Sequence, residues 1–131
     1  MKKCMFTVAD LRQFIFHYAK YRLSNCENVS FIDIEASALP KFPIRFDVVF
    51  IMQVLEHLQN PLNVIQHIHC NMQDKAHLIF NYIKSEGHGL DTIQSVRERA
   101  QVLEFIDNNF KLVSGRIDKQ NSMDTTIVMK K

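Results

Sequence analysis

The chain predicts an α/β sandwich with a largely parallel sheet. Short apolar runs alternate with segments of helical period. The most apolar run, "RFDVVFIM" (residues 45–52), is rich in Val, Ile and Phe on both of its faces, as a strand covered on both sides is. The elements follow in the order β-α-β-β-α-β-α-β-β, and strands alternating with helices argue a parallel sheet. At 131 residues, one domain over residues 1–131 is expected.

The elements read as follows. "CMFTVA" (4–9) is a short strand. Residues 11–23 carry Leu11, Phe14, Ile15, Tyr18, Ala19 and Leu23 at helical spacing. "NVSFIDI" (28–34) and residues 45–52 are the next two strands. Pro61 suits the first turn of a helix with Asn60 as its N-cap, and Leu62, Ile65, Ile68 and Met72 form the apolar stripe. "AHLIFNYI" (76–83) is a strand, and "SEGHGL" (85–90), with two of the three glycines, is a loop. Asp91 with Gln94 has the spacing of a capping box, opening a helix with Ile93, Val96, Ala100, Leu103 and Ile106 on one side. Residues 110–117 and 125–130 read as a terminal antiparallel pair.

Composition narrows the function classes. With 47% apolar residues and only three Gly and three Pro, the chain is neither disordered nor collagen-like. No run of 18 apolar residues occurs, and the start, interrupted by Asp10, does not read as a signal peptide, so no membrane partner is expected. Cys4, Cys26 and Cys70 are odd in number and widely spaced, which predicts free thiols and a cytoplasmic location. The net charge is +2 without a clustered basic face, so no nucleic-acid partner is expected. His67, His69 and Cys70 do not make a metal site: histidines two apart point to different sides of a helix.

The most informative stretch is "FDVVFIMQVLEHLQNP" (46–61). An apolar strand ends and delivers Gln53, Glu56 and His57. In open α/β sheets ligands bind just outside the carboxyl ends of the strands. The unperturbed pKa of histidine lies near neutrality, which suits His57 to act as a general base, with Glu56 orienting it or binding substrate. The simpler alternative is that both residues begin a helical turn, where the helix dipole favours Glu.

These residues, with "PLNVIQHIHCNMQDKAHLIFNYI" after them, resemble the class I S-adenosylmethionine-dependent methyltransferases, and the resemblance runs over nearly the whole chain. It implies a Rossmann-like three-layer sandwich, a terminal antiparallel pair, and methyl transfer to an unidentified small-molecule or macromolecular acceptor. By the same resemblance, Asp10 stands where the family binds the cofactor's ribose hydroxyls. Asp33, or alternatively Glu35, stands near the adenine, and Gln53 lines the cofactor site. His88, between two glycines, is placed to reach an acceptor. A metal-dependent variant uses Glu-x-x-Glu-His; this chain has Gln53-x-x-Glu56-His57, and a neutral amide is a poorer ligand for a hard cation, so no metal is expected.

The family's first strand, first helix and glycine-rich loop have no counterpart here, for no Gly-x-Gly-x-Gly occurs in the chain. The resemblance implies a sheet order of 3-2-1-4-5-7-6 in the family's numbering, so the missing strand falls between strands 2 and 4. The expectation is a methyltransferase-like domain without its first β-α unit, binding S-adenosylmethionine weakly by itself. A second copy or a complementing chain can fill the gap. The alternative is a non-catalytic remnant or interaction module that does not take the cofactor.

Overall fold

The structure, a computed structural model, describes residues 3–85 and 89–131. Its elements are β1 (Phe6–Leu11), α1 (Phe14–Arg22), β2 (Val29–Ile34), β3 (Phe46–Ile51), a 3₁₀ turn (Leu55–His57), α2 (Pro61–Cys70), β4 (Met72–Tyr82), α3 (Ile93–Asn109), β5 (Phe110–Ser114) and β6 (Met123–Lys130). Their order is the expected one. The chain divides into two compact units, Met1–Phe42 and Pro43–Lys131.

In the first unit β1 and β2 form a parallel two-stranded sheet, in register from Phe6↔Val29 to Leu11↔Ile34. In the second unit the order is β3-β4-β6-β5, with β3 parallel to β4 and β6 antiparallel to both of its neighbours. In the expected numbering these are the pair 3-2 and the quartet 4-5-7-6.

Several boundaries differ from the expectation, each for a local reason. The first strand runs later than residues 4–9, because pairing with β2 continues to Leu11 and the helix can open only after Gln13. The strand expected over residues 76–83 begins earlier: Met72, expected on the stripe of the preceding helix, lies in β4 and pairs with Phe46, and a ladder irregularity with Lys75 at φ 62° absorbs the extra residues. β5 stops at Ser114 because Gly115 follows at φ 86°, where an added Cβ would meet backbone atoms of Thr125 and Thr126 at 2.9 Å.

The caps differ too. Asn60 is the N-cap of α2 but makes no side-chain cap; the Leu62 amide donates instead to Glu98 Oε2 of α3, 3.1 Å away. The cap of α3 is Thr92, whose hydroxyl accepts from the Ser95 amide at 3.0 Å. Asp91 is occupied elsewhere, accepting from the Ser85 amide and hydroxyl.

The core lies in the second unit. Ile65 of α2 and Val102, Leu103 and Ile106 of α3 pack on Leu78, Phe80 and Val128 of the sheet. The expected stripe on α3 holds in its C-terminal half only: Ile93 and Val96 are exposed, while Ser95 and Arg99 are buried. In the first unit α1 buries Phe16, which meets Phe31 edge-on with ring centroids 6.0 Å apart. Phe14, Ile15 and Tyr18 of the expected stripe are exposed. The three cysteines are free, and no described helix is long and apolar enough to cross a membrane.

Candidate functional site

Each unit carries its own candidate residues at the carboxyl ends of parallel strands. In the first unit Asp10 and Asp33 are register partners near the ends of β1 and β2. Partners in a parallel ladder project to the same face of the sheet, so the two carboxylates are neighbours there. Asp33 is compensated. Lys20 hydrogen-bonds and pairs with Oδ1, and Arg12 Nε lies 3.4 Å from Oδ2. The Lys20 hydrogen bond is the main reason that the carboxyl of Asp33 is held below its ordinary range, although desolvation opposes it. Asp10 is exposed, and its Oδ1 accepts from the Leu11 amide at 2.7 Å. Its other oxygen has no hydrogen-bond partner among the described residues. Lys20 and Arg12 thus offset one of two neighbouring negative charges and leave Asp10 available. Glu35 is exposed just after β2, bridged to Ala38.

In the second unit β3 ends at Ile51, and Gln53 turns the chain at φ 57°, a left-handed conformation uncommon for a side-chain-bearing residue. The Gln53 amide donates to Asn81 Oδ1 at 2.7 Å. Asn81 is buried next to the end of β4, so this bond pins the turn. The following Leu55–His57 turn is fastened to the start of α3. The Glu56 carbonyl accepts from the Thr92 amide at 2.9 Å and from Ser95 Oγ at 2.8 Å, and Thr92 Oγ1 donates to the Leu58 carbonyl.

Glu56 and His57 leave this turn in different directions. The Glu56 side chain is 3% exposed, and its Oε2 has no hydrogen-bond partner among the described residues. His57 is exposed, and its Nδ1 lies 2.8 Å from the Leu90 carbonyl. A carbonyl can only accept, so Nδ1 carries a proton, and in the neutral ring the lone pair is on Nε2. The orientation of His57 therefore comes from Leu90, on the loop before α3. His88 lies outside the described residues.

Sequence reasoning missed Asn81, Ser95 and Arg99. Ser95 and Arg99 sit four apart on α3, one helical turn below Leu103, so their spacing places them on the buried stripe; their polarity hid them. Arg99 is 6% exposed, stacks over the Tyr82 ring at 4.4 Å, and donates to the carbonyls of Tyr82, Asp118 and Asn121. The Tyr82 hydroxyl donates to the Ser95 carbonyl at 2.7 Å, and burial pushes its pKa upward.

Residues 8–114 match the family model described as "Methyltransferase domain". No curated protein matches the chain by sequence. Among solved structures, the chain is similar to the N-methyltransferase NodS from Bradyrhizobium japonicum WM9 in complex with S-adenosyl-L-homocysteine. Identity is 13% and the TM-score 0.70, covering 96% of this chain and 66% of that one. It is similar to the 1,6-didemethyltoxoflavin-N1-methyltransferase of Burkholderia thailandensis, at 17% identity and TM-score 0.62, over 95% of this chain and 60% of that one. The [4+2]-cyclase SpnF matches at 19% identity and TM-score 0.62, over 86% of this chain and 46% of that one. The chain thus spans less than two thirds of each of these three chains.

Proposed function

The chain belongs to the methyltransferase-domain family, and from that premise we propose that it serves S-adenosylmethionine-dependent methyl transfer to a hydroxyl or amine acceptor. The observation that carries this reading is the placement of Asp10 and Asp33 as register partners at the carboxyl ends of β1 and β2, one compensated and the other available. A carboxylate with a free oxygen fits a ribose diol, because it can accept from both hydroxyls where a neutral side chain cannot do so as well. Asp33, shared with Lys20 and Arg12, keeps acceptor capacity for an amino group such as that of adenine. Gln53, in the second unit, stands just beyond the carboxyl end of its own strand, β3. When bound, S-adenosylmethionine supplies a methyl group activated by its sulfonium sulfur.

The chain's own residues then have defined tasks. His57 accepts the acceptor's proton at Nε2, while Nδ1–H stays bonded to the Leu90 carbonyl. Glu56 anchors the turn through its carbonyl, which receives Thr92 and Ser95. Asn81 fixes the backbone at Gln53. The result is a proton-accepting group on a rigid mount, and positioning is the main contribution such a site makes to a transfer of this kind.

A second reading is favoured by a separate observation. The 131 residues hold no Gly-x-Gly-x-Gly, and β3 is an outer strand whose Val48 and Phe50 are exposed. In this reading the chain is an interaction module that associates through β3 with a second copy or a complementing chain. Titration calorimetry with S-adenosylhomocysteine separates the two. The first reading predicts saturable binding, weaker than micromolar for this chain alone, and about tenfold or more weaker again in Asp10→Ala, the scale of a lost charged hydrogen bond. No saturable binding, with dimers or larger species by light scattering, would establish the second.

A further inference from the structure

Between the end of β4, the inner side of α3 and the β5–β6 loop lies a cavity of about 330 Å³. We propose that it is a binding site for a small molecule bearing an oxyanion, a carboxylate or a phosphate, independent of the methyl-transfer reading. The volume is at the lower end of those that hold small ligands. Among the described residues, Arg99, Lys84 and Lys119 line it against a single acid, Asp91, and Val96 and Ala100 give it an apolar wall. Asp91 is occupied by Ser85, and Lys84 Nζ donates to the Gln120 carbonyl at 2.9 Å.

The charge of Arg99 is what the site lacks an answer to. Its guanidinium is almost fully buried, yet among the described residues NH1 and NH2 bond only to neutral carbonyls, and Nε has no acceptor. The carboxylates of Asp118, Asp91 and Glu56 act on it through space, but none is hydrogen-bonded to it. Buried charges are normally paired. An oxyanion in the cavity would supply the missing negative charge, with Lys119, which is exposed and makes no hydrogen bond among the described residues, closing over it.

Titrating the 131-residue chain with sodium benzoate and, separately, inorganic phosphate, against sodium chloride at equal ionic strength, tests this. The readouts are the melting temperature and the NMR signal of the Arg99 Nε–H. The expected result is a saturable rise in melting temperature and a moving Nε–H signal with at least one of the two anions. Lys119→Glu, which leaves the buried network untouched, should raise the dissociation constant about tenfold. Benzoate alone identifies a carboxylate site, phosphate alone a phosphate site, and both a general oxyanion site. A response no different from chloride, or saturable binding that Lys119→Glu leaves unchanged, overturns the proposal.

Discussion

The two units of this chain are built on similar local patterns and hold together in different ways. Among the described residues, Pro43–Lys131 has four strands, the helices α2 and α3, and a continuous core to which α2, α3, β4 and β6 all contribute. Met1–Phe42 has two strands and one helix, and Phe16 is its one buried hydrophobic side chain among the described residues. What organises it instead is polar: Asp33 with Lys20 and Arg12, and Lys20 also over the Phe16 ring at 4.7 Å. Helical spacing alone does not say which face is buried; a second layer must be there to bury it.

The largest expected effect sharpens this contrast. Phe80 and Leu103 are 0% exposed in the second unit. Phe80→Ala should cost about 3–5 kcal/mol and Leu103→Ala about 2–5 kcal/mol, read from urea unfolding. A cost below about 1 kcal/mol at both would mean that the second unit has no cooperative core. Next comes Gly115→Ala, which forces a Cβ against the backbone of Thr125 and Thr126 at a positive φ. It should destabilise the second unit by about 1–3 kcal/mol and loosen the β5–β6 pairing, visible in amide exchange of residues 123–128.

Acid should act on the polar contacts before the core. The carboxyl of Asp33 is held below its ordinary value of 3.8, chiefly by the Lys20 hydrogen bond. That of Asp118 is lowered to about 2, chiefly by the backbone and side-chain hydrogen bonds from Asn121 and then the backbone of Gln120. A carboxyl depressed in the folded state adds stability above its unfolded pKa and loses it as pH falls through its folded pKa. Lowering the pH from about 4 towards 2 should therefore release Lys20 and Arg12 in the first unit and the β5–β6 loop in the second, while core signals of Leu78 and Leu103 persist. NMR spectra in which the core signals vanish first would break the comparison. The smallest effect is expected at Phe14, 83% exposed on α1: Phe14→Ser should change stability by no more than about 0.5 kcal/mol.

Much of this architecture was legible in the sequence, because apolar periodicity reports element type directly. The order of elements and the placing of Glu56 and His57 beyond the third strand follow from that signal; the covering on both faces expected of residues 45–52 does not hold, for β3 ends its four-stranded sheet and Val48 and Phe50 are exposed. What stayed hidden depends on contacts remote in sequence. Ser95 and Arg99 are buried because carbonyls on the Leu55–His57 turn, β4 and the β5–β6 loop wait for them, and no local pattern shows that. The Leu90 carbonyl that orients His57 is 33 residues away. Glu98, which caps α2 at the Leu62 amide, stands 36 residues away.

Native-state hydrogen exchange on a monomeric sample tests the central contrast most directly. The account predicts that amides at residues 77–82, in β4 between β3 and β6, exchange only by global opening of the second unit, as do those amides at 47–51 of β3 that donate to β4. Amides at 5–9 and 29–33, in and beside β1 and β2, should exchange far sooner. Equal protection in all four segments would contradict it, because it would show the first unit to be as strongly held as the second.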